Sequence, residues 1–293
     1  LNFSPTALAF IIWMLGLVVF GVALDLRWRD FMRVIEHPRA PAVGLGCQFL
    51  LMPALATALV WLFSPAPSVA LGIILVAACP GGNVSNFFTH FGGGNTALSV
   101  SMSAVSTLAA IAMTPFNFMF WGEINPSTRE LMQSIELDPL QILKSVLMIL
   151  IIPTLAGMLV AQSWPRFAQR LHKPMQYFSL LVMAAFIVGA LQANFAYFLE
   201  YIGSAFFIVL LVNAAALSLG YGLARGLGLG EYNARAVCFE TGIQNSGFGL
   251  LLVFNFFAGL GGMAIVTAWW GVWHLISGLT LSSWWSRNRP ASE

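Results

Sequence analysis

Charge is what this chain has least of. Only 8% of its 293 residues are Asp, Glu, Lys or Arg, against 59% hydrophobic and a mean hydropathy of +0.83. Soluble proteins carry about 25% charged residues, so the composition is that of a polytopic membrane protein. Cysteine is scarce as well. Cys47, Cys79 and Cys238 are odd in number and lie inside apolar runs, as small buried hydrophobes do, which excludes a disulfide framework and a thiolate metal site. The net charge of +2 comes without a basic cluster or interleaved aromatics, so no nucleic-acid partner is expected. No linker, charge run or low-complexity stretch marks an appended soluble domain, and no obligate protein partner is evident. His274 has no Cys, Asp or second His placed to act with it, which argues against an intramembrane enzyme. A cleavable leader is not evident either, since the first apolar run is long enough to stay as a span; the first residue is Leu1 rather than Met.

What is present is hydrophobic length. Nine runs reach the roughly 20 residues a bilayer needs, near 5–24, 39–63, 68–90, 95–121, 139–162, 173–194, 198–225, 231–257 and 260–285. With the N-terminus outside and the C-terminus inside, all of the 13 Lys and Arg except Arg129 and Lys144 fall on inner segments, as the positive-inside bias requires. Those two lie next to the acidic residues of the outer loop containing Glu123, Glu130, Glu136 and Asp138. Trp28, Trp61, Trp121, Trp164, Trp284 and Trp285 lie near span ends, where an amphipathic ring anchors well.

One stretch breaks this pattern: Phe239-Glu240-Thr241-Gly242-Ile243-Gln244-Asn245-Ser246-Gly247. It puts an acid deep in an apolar run, whereas the other acids fall near predicted helix ends, in loops or at the termini. A carboxylate at the bilayer centre costs about 2.5–3.5 kcal/mol on insertion scales, so it needs partners and is read as functional. The alternative is a core Glu satisfied by neighbouring hydroxyls. Glycines on both sides of an amide-hydroxyl triplet allow the helix to unwind, which is tolerated at that depth only where backbone is buried in protein or lines a cavity. A carboxylate and several amides at such a break suit a cation-coupled transporter.

The third span carries a second break, Cys79-Pro80-Gly81-Gly82-Asn83-Val84-Ser85-Asn86. Proline and two glycines stop a helix, and amide and hydroxyl side chains follow, as they do after Gly242. The third and eighth spans run in opposite directions, the pattern of an inverted repeat with its site where the breaks meet. Ser99, Ser103 and Ser106, spaced by four and three, share one helix face; they either line a site or allow close helix packing. Gln48, in an apolar run ahead of Pro53, is either a ligand or interhelical glue.

These residues resemble the bile acid:sodium symporter family over nearly the whole chain. The resemblance is carried by Cys79-Pro80-Gly81-Gly82 with Ser85-Asn86, then Gly94-Asn95-Thr96-Ala97-Leu98-Ser99-Val100, then Glu240-Thr241-Gly242-Ile243-Gln244-Asn245-Ser246-Gly247, then Trp273-His274-Leu275-Ile276-Ser277-Gly278. It implies an all-α transporter in one transmembrane unit. A core domain (about 39–121 and 198–285), with two crossing broken helices, would pack against a panel domain (about 5–24 and 139–194). It implies two sodium sites as well. The first would use Ser85, Asn86, Ser99, Ser103 and Glu240; the second Gln48, Gln244 and Glu240 with main-chain carbonyls at Thr241 and Ile243. All are oxygen donors, as a hard cation wants. Two monovalent cations on one carboxylate leave an excess positive charge that favours an organic anion nearby.

Asn83 and Asn245 are the expected substrate contacts, with His274 either a third or a structural hydrogen-bonding residue. The chain departs from the family at Asn83 and Ser103, where threonine is used, and at Leu275, where some bacterial members carry an amide. Ser103 keeps its hydroxyl; the other two changes bear on which anion is carried. Family members have nine or ten helices, and both arrangements stay open. The implied function is sodium-coupled symport of an organic anion, bile acid-like or a smaller carboxylate, by alternating access in the bacterial inner membrane. The rival on the same fold is proton coupling, with Glu240 carrying the proton; the amides of Gln48 and Gln244 argue against it, since a proton needs no cage of oxygens.

Overall fold

A computed structural model describes residues 13–134 and 151–290, apart from positions 15, 22, 25, 194, 258 and 289. The described residues are helical almost throughout. Short helical pieces at 13–14 and 16–21 precede α1 (Trp28–Glu36). Then come α2 (Arg39–Gly46), a π-helical turn (Cys47–Leu51), α3 (Met52–Phe63), α4 (Pro67–Ala78), α5 (Val84–Phe91), α6 (Thr96–Ile124) and α7 (Pro126–Ser134). The second half holds α8 (Ile152–Ser163), α9 (Pro165–Ala193), α10 (Phe195–Gly226), α11 (Glu231–Gly242), α12 (Ser246–Phe256) and α13 (Gly261–Ser286). Four stretches are long and apolar enough to cross a membrane: Arg39–Phe63, Thr96–Ile124, Ala205–Gly226 and Gly261–Ser286. The expected first and fifth spans fall partly outside the described residues, as do Glu136, Asp138 and Lys144.

The third and eighth expected spans are each two half-helices, α4 with α5 and α11 with α12, which is why neither counts as one long span. Pro80 has no N–H for the ladder and no helix passes it; α4 ends at Ala78 and α5 begins at Val84. The second break is Ile243–Asn245, between α11 and α12. α1 and α7 were not apparent from hydropathy, being short and polar on one side.

In lipid, helices associate through close packing rather than a hydrophobic driving force. Gly72 of α4 shows this: a Cβ there would lie 2.9 Å from the Met263 Cα and 3.0 Å from the Val266 Cβ of α13. Around that contact Met52, Val69, Ile73, Val76, Val209, Val212 and Trp270 form one buried cluster that joins α3, α4, α10 and α13. A second cluster, with Phe88, Leu217, Phe239, Ile243 and Trp285, joins α5, α10, α11 and α13. Trp285 therefore departs from the expectation of an interfacial anchor. It is 7% exposed and packs edge-on against Phe239, whereas Trp28, Trp61, Trp164 and Trp284 are exposed.

Candidate functional site

Breaking two helices inside a membrane frees carbonyls and N–H groups that must each find a partner, at a cost of several kcal/mol for each one left over. The two breaks satisfy each other. Gly81 and Gln244 form an antiparallel bridge: the Gly82 N–H donates to the Ile243 carbonyl at 2.7 Å, and the Asn245 N–H to the Pro80 carbonyl at 2.9 Å. Side chains take up four further carbonyls. Thr114 donates to the Ala78 carbonyl (2.7 Å), Gln48 to Cys79 (2.7 Å), Asn213 to Gly242 (2.8 Å) and Gln244 to Thr241 (2.7 Å). Thr114 and Asn213 are inside apolar runs and carry no motif, so nothing in the sequence marked them.

Near its C-terminal end α11 presents Glu240, fully buried. Its Oε2 accepts from the hydroxyls of Ser85 and Ser103, both at 2.8 Å, and its Oε1 from Ser106 at 3.2 Å. Asn86 extends the group: its Oδ1 accepts from Ser99 at 2.7 Å and from Ser103 at 3.3 Å. Thr89 in turn donates to Ser99 at 3.2 Å. The serine stripe of α6 thus faces the first turns of α5 and the end of α11. Ser85, Asn86, Ser99, Ser103 and Glu240 are brought together, and Ser106, expected only as a member of the stripe, joins them as a direct partner of the carboxylate.

The approach is close because Gly81 has no side chain. A Cβ there would run into the Glu240 carboxylate.

Gln48 and Gln244 form a second group. The π-helical turn at Cys47–Leu51 carries Gln48, and its Phe49 carbonyl accepts from Asn117 of α6 at 3.0 Å. A π-turn adds a residue to the helix and re-aims what it carries. Gln48 Nε2 reaches Gln244 Oε1 at 2.8 Å, and Gln244 Nε2 reaches Gln48 Oε1 at 3.2 Å. Gln48, Gln244 and the Thr241 carbonyl are joined, with the Ile243 carbonyl in the bridge beside them. Glu240 directs its hydrogen bonds to the serines and not to this pair.

Asn83 and Asn245 sit at equivalent places, each the residue before a half-helix that starts at the junction, and both are half-buried. Asn245 caps α12 by accepting from the Phe248 N–H at 3.0 Å. Two helix N-termini meeting there make the surroundings favourable to negative charge. His274 is buried on α13, and its Nδ1 has no hydrogen-bond partner among the described residues.

Among the described residues no three His, Cys, Asp or Glu side chains come together as they would for a transition metal. The donors are one carboxylate, hydroxyls, amides and carbonyls, which suit a hard cation.

A family model described as the sodium bile acid symporter family matches residues 12–201. The chain belongs to the sodium bile acid symporter family. It is 30% identical over 273 residues to the sodium-dependent transporter YocS of Bacillus subtilis (strain 168), covering 93% of this chain and 82% of that one. A probable chloroplastic sodium/metabolite cotransporter of Oryza sativa subsp. japonica, BASS2, is 29% identical over 281 residues, 95% of this chain and 64% of the relative. The ileal sodium/bile acid cotransporter of Homo sapiens is 30% identical over 234 residues, 80% of this chain and 65% of its own length. The chain thus spans under two thirds of the rice and human relatives. The sodium bile acid symporter family and these relatives are transporters rather than enzymes, and with the apolar helices they make this chain an integral membrane protein.

Proposed function

We propose that the protein is a sodium-coupled symporter of an organic anion. The observation that carries this is Glu240, a buried carboxylate held by Ser85, Ser103 and Ser106 where two interrupted helices meet. Each hydroxyl that donates to Glu240 also has lone pairs, so the same shell turns oxygen to a cation by rotating about one bond. Sodium, here a co-transported substrate, would take one position among Ser85, Asn86, Ser99, Ser103 and Glu240. A second would lie by Gln48, Gln244 and the carbonyls of Thr241 and Ile243, with Glu240 near enough to contribute its charge. The relatives' names, which include sodium-dependent and sodium/bile acid transport, support the same reading.

The anion would bind beside Asn83 and Asn245, at the two helix N-termini, with His274 as a further contact. Coupling follows from linkage. An ion that orders the two breaks makes the site the anion needs, and each raises the other's affinity by the same factor. Alternating access would then be a rocking of the core (39–121 and 198–285) against the panel (5–24 and 139–194), the halves being inverted repeats of a nine-span unit in a bacterial inner membrane. The anion is a bile acid-like molecule or a smaller carboxylate.

The test is thermal stability of the purified protein in NaCl against matched KCl and choline chloride, for wild type and Glu240→Ala. A ligand of the folded state raises the melting temperature by mass action. A sodium-specific rise that Glu240→Ala loses is expected, and organic anions added in sodium should raise it again. A wild type indifferent to sodium would overturn the reading in favour of proton coupling, with uptake against pH as the next measurement.

A further inference from the structure

Arg235 is a buried charged residue the proposed site does not use, and it is 4% exposed. Positive-inside counting assigns it to the inner side, near the start of the expected span 231–257. The structure puts it in the second turn of α11, five residues before Glu240 and so about 7.5 Å along the same helix axis at about 1.5 Å per residue.

Four of its five N–H donors are engaged. Nη1 donates to the Gly92 carbonyl at 2.7 Å and to the Trp285 carbonyl at 3.2 Å, Nη2 to the Asn288 carbonyl at 2.9 Å, and Nε to Glu231 Oε1 at 2.8 Å. Its Cζ lies 5.0 Å from the Trp285 ring centroid. Gly92 closes α5, and Trp285 and Asn288 close α13. One cation therefore sits at the carbonyl ends of two helices, where positive charge is favoured. A planar fork that reaches three carbonyls in fixed directions is what arginine supplies and lysine does not.

The same end of α11 is tied to the turn after α5 by further bonds. The Asn95 N–H donates to the Tyr232 carbonyl at 2.9 Å, and Asn95 Nδ2 donates to Asn233 Oδ1 at 2.8 Å. A Cβ on Gly94 would lie 2.9 Å from the Arg235 Cβ. So α5 and α11 are fastened twice, at the bridge of the two breaks and at Arg235. Ser85, Asn86 and Thr89 on one helix and Glu240 on the other lie between the two fastenings. Sliding α11 by a fraction of a turn would separate Glu240 from Ser85 and Ser103, and the bonds at Arg235 oppose that slide.

We infer that Arg235 is a positioning residue that sets the sodium affinity of the Glu240 shell by fixing the axial register of α11 against α5 and α13. This rests on the sodium reading above. It goes beyond that reading in giving an ion-affinity role to a residue too far away to touch the ion.

The experiment is a sodium titration of melting temperature on the full chain for wild type, Arg235→Ala and Arg235→Lys, with the sodium midpoint read separately from the stability in choline chloride. Loss of a residue that orients ligands typically costs about 10–100-fold in metal affinity, so Arg235→Ala should raise the midpoint at least about tenfold. Arg235→Lys, which keeps the charge at the two helix ends but not the fork, should recover part of it. A lower melting temperature with an unchanged sodium midpoint means a structural residue only, and overturns the inference. If Arg235→Ala does not fold, the midpoint of Arg235→Lys decides by the same criterion. A wild type that ignores sodium defeats the sodium reading and this inference together; a responsive wild type with unmoved variants defeats the inference alone.

Discussion

Gln48 and Gln244 face each other as a reciprocal amide pair, each donating to the other's carbonyl oxygen, at 2.8 and 3.2 Å. One rides on a π-helical turn and the other on a helix break, and both are fully buried. Each also holds a main-chain carbonyl at a break, Cys79 for Gln48 and Thr241 for Gln244. The pair therefore links the two interruptions through side chains, as the Gly81–Gln244 bridge links them through the main chain.

Gln48→Ala leaves the Cys79 carbonyl and the Gln244 amide without that partner. An unsatisfied buried polar group costs about 1–3 kcal/mol, and the loss should appear as a lower denaturation midpoint in choline chloride. Gln48→Ala with Gln244→Ala should cost less than the two single losses added. Strict additivity in that double-mutant cycle would show that the pair is not coupled.

Glu240→Gln keeps the size of the side chain and removes its charge. The sodium-dependent rise in melting temperature should disappear, while stability in choline chloride stays near or above wild type because no charge remains to be buried. A full sodium response in Glu240→Gln would mean that the carboxylate holds no ion.

Gly81→Ala puts a methyl into the space taken by the Glu240 carboxylate. Overpacking of this kind costs about 1–3 kcal/mol, and sodium-dependent uptake should fall with it. Gly82→Ala makes a useful comparison: its Cβ would sit 3.1 Å from the Gln244 carbonyl oxygen, against the backbone and away from the carboxylate. Equal sodium midpoints in the two variants would argue that Gly81 matters only for backbone packing.

Ser103→Ala removes a 2.8 Å bond to Glu240 and Ser106→Ala a 3.2 Å one. Each hydroxyl should be worth about 0.5–1.5 kcal/mol, and tenfold in affinity corresponds to about 1.4 kcal/mol. The sodium midpoint should therefore rise by up to about tenfold, more for Ser103→Ala. The reverse order would mean that Ser106 and not Ser103 belongs to the ion shell.

Asn213→Leu takes away the donor to the Gly242 carbonyl at nearly constant volume. The end of α11 should loosen, and amide exchange at Ile243 to Asn245 should speed up in choline chloride. Unchanged exchange there would show that the Gly242 carbonyl does not depend on Asn213.

Much of the site could be read in the residues because the chemistry is conspicuous against lipid. Glu240 stands out in a chain with 8% charge, and Pro80-Gly81-Gly82 cannot continue a helix. The serines of α6 declare a common face by their spacing. Thr114, Asn117 and Asn213 could not be read so. Each is one polar side chain in an apolar helix, and its purpose is a particular carbonyl on a different helix. Arg235 was read only as a charge on one side of the membrane: counting positive charges cannot tell a solvated arginine from one folded back on helix ends. Trp285 was misread for the same reason, since its ring covers that arginine.

The sequence by itself determined the solvent, the two breaks and the donor types, because those depend on local composition: apolar length, helix-stopping residues and the oxygen atoms that follow them. Only the tertiary structure decided which atoms meet. Glu240 turns toward Ser85, Ser103 and Ser106 while Gln48 pairs with Gln244, and Arg235 holds Gly92, Trp285 and Asn288. The partners of Glu240 in that set lie more than 130 positions away in the chain. Their alignment is set by the depth at which one helix packs against another, and no periodicity within a single span encodes that depth.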